Sequence, residues 1–85
     1  MKTLEFTIND KLGIHARPAG MLVKKAKEFQ SEIIIQKDDK SVNATKLMAL
    51  MGMNIKHGEK VTVTVNGADE EAAAAAIEKF FADNL

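Results

Sequence analysis

Residues 60–66, Lys-Val-Thr-Val-Thr-Val-Asn, alternate strictly between apolar and polar. Successive side chains of a strand point to opposite faces, so this segment settles with its valines on a core and its threonines in water. Residues 2–8 alternate in the same way, with Leu4, Phe6 and Ile8 on one side and Glu5 and Thr7 on the other. Residues 31–37, Ser-Glu-Ile-Ile-Ile-Gln-Lys, read as a further strand, Asp38-Asp39 as a turn, and residues 40–43 as a short strand after it. Strands patterned like this belong to an antiparallel sheet with one face covered and the other wet.

The cover is helical. From Ala16 the apolar residues Ala19, Leu22, Val23, Ala26 and Phe29 recur at spacings of three and four, while Lys24, Lys25, Lys27 and Glu28 fill the other faces. Residues 46–53 suit a short apolar helix, and Lys56-His57-Gly58-Glu59 a turn that leaves His57 on the surface. Asp69 is placed to cap a last helix, with Glu70 and Glu71 near its positive end and Ala73, Ala76, Ile77 and Phe80 as its buried stripe. The expected order is β-α-β-β-α-β-α. The expected fold is α+β: a four-stranded antiparallel sheet, with the helices that begin at 16 and 70 packed on one face. The other face should be flat, without a concave pocket. Residues 1–85 form one domain without repeats or linkers.

Twelve Lys and Arg balance twelve Asp and Glu, so no global charge favours nucleic acid or an anionic membrane. Cysteine is absent, which excludes disulfides and thiol chemistry. Glu5, Asn9 and Asp10 interrupt any apolar leader, and no apolar run approaches the roughly 18 residues of a membrane span. The expected location is the cytoplasm. Asn43-Ala44-Thr45 matches a glycosylation sequon, which is read as chance. His15 and His57 have no third ligand candidate between them, so no metal site is expected.

The single arginine and the single proline stand side by side in Gly13-Ile-His-Ala-Arg-Pro18, separated by one residue from the first of two histidines. Gly13 lets the loop turn tightly, and His15 falls just before the helix. There the first helical amides lack partners and favour negative charge. Pro18 fits the first turn, where its missing N–H costs nothing. Arg17 adds a planar fork that matches phosphate oxygens. With an ordinary pKa of about 6.5, an imidazole here is largely neutral and nucleophilic near pH 7. The residues alone describe an anion site holding a nucleophile. A loop histidine beside a solvated arginine explains them about equally well.

The stretch Gly-Ile-His-Ala-Arg-Pro-Ala resembles the active-site signature of HPr, the histidine-containing phosphocarrier of the phosphoenolpyruvate–sugar phosphotransferase system. The resemblance extends over essentially the whole chain, including the Lys40–Asn43 strand, the Met-rich segment 47–53 and Gly67-Ala-Asp-Glu70. It implies the open-faced β-sandwich of that family. It also implies a carrier rather than a stand-alone enzyme, without a cofactor. His15 would accept a phosphoryl group on Nδ1 from phospho-enzyme I and pass it to IIA domains of sugar permeases. Arg17 would assist, and the amides of Ala16 and Arg17 would hold the phosphate. Such a carrier is expected as a monomer, with transcriptional regulators as candidates for further partners.

By the same resemblance Leu47, Met48 and Met51 join Ala16, Gly20, Met21, Lys24 and Lys27 in one docking face. Unbranched methionine suits a surface that meets several partners, and lysines suit acidic rims. Leu50 and Met53 are candidates for core. Two positions depart from the family. Lys46 stands where many members carry a serine that a dedicated kinase phosphorylates, so that switch is expected to be absent; Thr45 is read as a helix cap, with a substitute phosphoacceptor as the alternative. Leu12 replaces a Ser or Asn near the phosphate and takes no binding role. Competing readings are a carrier of the nitrogen-related branch, a purely regulatory module of this family, and an unrelated small-molecule-binding domain.

Overall fold

The computed structural model describes residues 1–14 and 16–85. Its elements follow the expected order: β1 (Lys2–Thr7), α1 (Ala16–Lys27), β2 (Glu32–Lys37), β3 (Lys40–Asn43), α2 (Leu47–Gly52), β4 (Lys60–Asn66) and α3 (Glu70–Asn84). The strands form one antiparallel sheet in the order β1-β4-β2-β3. The alternating segment 60–66 is therefore an inner strand. Its neighbour on one side comes from the start of the chain.

Register explains how one face became apolar. Leu4, Val63, Ile35 and Val42 stand opposite one another across the four strands, and Phe6 pairs with Val61. Val61, Val63, Val65, Ile33 and Ile35 are buried. The next row, Thr3, Thr64, Ile34 and Asn43, faces the other way, followed by Glu5, Thr62, Gln36 and Ser41. A slip of one residue would exchange these two sets, so burial of one face pins the register.

Helix α3 packs on β1 and β4, and α1 lies between α3 and α2. Ala19, Leu22, Val23 and Ala26 are buried, as their spacing predicts. Phe29 lies past the end of α1, half-buried against the core. On α3 the expected stripe is shifted. Ala73, Ile77 and Phe80 are buried, but Ala76 is only half-buried, and Ala74 and Phe81 replace it. The reason is that α3 meets two neighbours at once, the sheet and α1. The Phe81 ring lies flat on Phe6, centroids 4.2 Å apart, and meets Phe80 edge-on at 6.1 Å.

Asp69 does not cap α3 with its side chain. It occupies the N-cap position without a side-chain capping bond. Its carboxylate instead accepts the amides of Gln30 and Ser31, both at 2.9 Å, and the Ser31 hydroxyl. The reach back across the turn comes from Glu70, whose carboxylate accepts the Gly67 amide at 3.2 Å. Asp69 therefore fastens the corner between α1 and β2 to the corner before α3. Donation from Ser31 and Gln30 holds its carboxyl below the ordinary value of 3.8. A folded-state pKa below the unfolded one gives stability that is present above pH 3.8 and lost as pH falls through the folded value. Asp69→Asn should therefore unfold in less urea than the parent at pH 7, with the gap narrowing below pH of about 4. Equal gaps at pH 7 and pH 3 would show that the charge of Asp69 is immaterial.

Candidate functional site

The loop leading to the site is held on several sides. Asp10 makes an Asx turn: its Oδ1 accepts the Leu12 amide at 2.8 Å and its carbonyl the Gly13 amide at 2.9 Å. The amides of Asn9 and Asp10 donate to the Leu85 carbonyl. Gly13 has a positive φ of 69°, as the tight turn requires. It also lies against the backbone of Ile55 and Lys56, where a Cβ would stand 2.7 Å from the Lys56 Cα and closer still to the Ile55 carbonyl oxygen. Ile14 is buried and donates its amide to that carbonyl at 2.9 Å. His15, the expected phosphoacceptor, lies outside the described residues.

From Ala16 the chain is helical, with Ala16 and Arg17 exposed and Pro18 buried. The first four amides of an α-helix have no intrahelical acceptor. Arg17 borders a hollow of about 250 Å³ whose other walls are Asp10, Pro18, Met21 and Asn84. A guanidinium and helix-end amides thus stand on the sequence positions next to His15.

Helix α2 is shorter than expected, Leu47–Gly52 rather than 46–53, because Lys46 has an extended backbone and serves as N-cap, with no side-chain capping bond. Thr45 is not the cap. It lies one residue too early, and its hydroxyl donates to Asn43 Oδ1 at 2.7 Å. Leu50 and Met53 are buried, while Leu47, Met48 and Met51 are exposed, Met48 by 81%. Met21, Lys24 and Lys27 are exposed on α1 and Gly20 is half-buried. Since α1 and α2 pack together, these residues lie on adjoining helices. A small domain that leaves Met21, Leu47, Met48 and Met51 in water presents apolar surface of the kind that marks a partner site. Leu12, 73% exposed, offers the site no hydrogen-bonding group. His57 is exposed.

On the helical side, away from the open face of the sheet, a groove of about 490 Å³ runs between α1 and α3, lined by Met21, Lys24, Phe80 and Asp83 among others. Among the described residues no helix is long and apolar enough to cross a membrane.

Two residues behind the site carried no signal in the sequence. Lys37 Nζ, on the helix-facing side of β2, donates to the carbonyls of Met53 and Asn54 at 3.2 and 3.3 Å and to Glu59 Oε1 at 3.1 Å. Glu59 Oε1 also accepts the Lys56 amide at 2.7 Å. These two donors hold the Glu59 carboxyl below its ordinary value, the backbone amide contributing most. Lys37 lies 16, 17 and 22 positions from its partners, so no local pattern announces it.

Comparison with known proteins follows the same lines. The family profile described as "PTS HPr component phosphorylation site" matches residues 2–83. The phosphocarrier protein HPr of Lysinibacillus sphaericus is 44% identical over 77 residues, 91% of this chain and 88% of its own. The histidine-containing phosphocarrier protein of Mycoplasma superposes with a TM-score of 0.93 at 38% identity, covering 96% of this chain and 93% of its own. Crh of Bacillus subtilis, a catabolite repression protein that crystallised as a domain-swapped dimer, superposes with a TM-score of 0.78 at 32% identity, covering 100% and 98%. Sequence and fold agree, and the chain belongs to the HPr family of phosphocarriers of the phosphotransferase system.

Proposed function

We propose that this chain accepts a phosphoryl group on His15 from phospho-enzyme I and passes it to IIA domains of sugar permeases. The observation that carries the reading is the placement of Ala16 and Arg17, exposed in the first turn of a twelve-residue helix immediately after His15. A neutral imidazole nitrogen attacks phosphorus as the bond from phosphorus to the donor breaks. The transferred oxygens carry negative charge throughout, and the amides of Ala16 and Arg17 and the Arg17 guanidinium supply the opposing field. The same charges serve the return step, so the carrier is poised between donor and acceptor.

Docking falls to Gly20, Met21, Lys24, Lys27, Leu47, Met48 and Met51, with the methionines adapting to unlike partners. Lys46 has no hydroxyl, and the Thr45 hydroxyl is engaged with Asn43, which supports a carrier without a serine switch. The chain acts as a monomer that presents one face to successive partners; the swapped dimer of Crh makes the alternative concrete.

Intact mass spectrometry tests this reading. With phosphoenolpyruvate and enzyme I the parent should gain one acid-labile phosphoryl group and His15→Ala none. A folded parent that stays unlabelled by an enzyme I from its own source would overturn it and favour a regulatory module. Incubation with a serine kinase of this family and ATP should leave the mass unchanged; a label at Thr45 would defeat the missing-switch reading. Light scattering at assay concentration should give the mass of one chain, and twice that mass would replace the monomer with a dimer.

A further inference from the structure

The site loop and the docking helix meet at one short segment, 53–56. Met53 is the C-cap of α2, and Asn54 after it turns the chain with a positive φ of 52°. The next residue, Ile55, is buried, and its carbonyl receives the Ile14 amide while its backbone fills the space left by Gly13. This segment therefore transmits the position of α2 to the residue before His15. Little in α2 holds it in place by itself. It has six residues, no side-chain cap, no acidic residue in its first turn and a lysine at its N-cap, where a cation is unfavourable.

We infer that Lys37 and Glu59 form a clasp that holds this segment and so sets the docking helix in register with the phosphoacceptor loop. The Lys37 ammonium sits on the carbonyls of Met53 and Asn54, the first two residues after α2, and so holds the chain where it leaves the helix. Its side chain is only 16% exposed, so solvent competes weakly for these bonds. Glu59 holds both the ammonium and the Lys56 amide on one oxygen, fixing the far end of the segment. Glu59 is itself anchored, since its carbonyl receives the Ile8 amide at 3.0 Å and its neighbour Gly58 donates to the Ile8 carbonyl at 2.8 Å. Lys37 and Glu59 are positioning residues: their hydrogen bonds go to the segment 53–56 and to each other, and they act through that segment.

The functional half of this inference rests on the carrier reading above; the structural half does not. Lys37→Met, at a temperature where the protein stays folded, should speed hydrogen exchange at the Ile14 amide by about tenfold, while exchange in β4 changes far less. KM for phospho-enzyme I should rise by about five- to tenfold with the transfer rate at saturation within about twofold, and Lys37→Arg should recover most of both losses. Uniform acceleration of exchange across the sheet, or unchanged exchange at Ile14, overturns the clasp. Localised exchange with an unchanged KM would leave the clasp without a part in docking and overturn its functional half. A parent that takes no phosphoryl group at all refutes the carrier reading but leaves the exchange result to judge the clasp.

Discussion

Arg17→Ala should slow phosphoryl transfer from enzyme I to this chain by about 10²- to 10³-fold, the range found when a preorganised donor to a reacting anion is removed. Arg17 is the sole arginine, it is exposed in the first turn of α1, and it borders a hollow open to water. Substituting an exposed residue away from the core changes stability by about 0.5 kcal/mol or less, so the loss should be kinetic and not structural. Arg17→Lys keeps the charge but loses the planar fork, and its rate should fall between the two. Rapid-quench single-turnover measurements separate these cases. A rate for Arg17→Ala within threefold of the parent would remove Arg17 from the chemistry and leave the helix amides to hold the phosphate.

Gly13→Ala should be the most damaging single-methyl change near the site, costing about 2–4 kcal/mol from the left-handed backbone and the overpacking together. Two independent constraints coincide there. The φ of 69° disfavours any residue with a Cβ, and the added carbon would press on the backbone of Ile55 and Lys56, which cannot rotate away as a side chain could. Relief requires the loop and the segment 53–56 to separate, which breaks the bond from the Ile14 amide to the Ile55 carbonyl. Urea unfolding followed by circular dichroism measures the loss. A variant within about 0.5 kcal/mol of the parent would show that the loop can re-form elsewhere. A large loss accompanied by a normal fold at low temperature would tie Gly13 to the site as well as to the turn.

The candidate site is legible in the sequence because the chemistry proposed for it is local. Gly13, His15, Ala16, Arg17 and Pro18 lie within six positions, and each residue type has a reason to be there that needs no knowledge of the rest of the chain. The exposed methionines were legible for a different reason. A helix of six residues cannot bury every side, so a helix rich in Met and Leu must leave some in water. Asp69 and Thr45 depart from their expected capping roles because their sequence positions suggest only nearby backbone amides. The structure gave Asp69 partners 38 and 39 residues away, and gave the Thr45 hydroxyl to Asn43. A carboxylate that can reach two amides and a buried hydroxyl gains more than a single capping bond offers.

The amino-acid sequence by itself determined the alternation and apolar face of the strands at 2–8 and 60–66, the helical period of α1, the order of strands and helices, and the cluster at 13–18. These are consequences of alternation, helical spacing and the conformational needs of Gly and Pro, all of which act within a few residues. Only the tertiary structure decided that β1 pairs with β4, that β4 and β2 are the inner strands, that α3 turns Ala74 and Phe81 inward, and that Lys37 reaches the carbonyls of Met53 and Asn54. Those choices depend on which distant surfaces bury the most apolar area together while leaving each buried polar group a partner. That balance exists only once the chain has closed on itself.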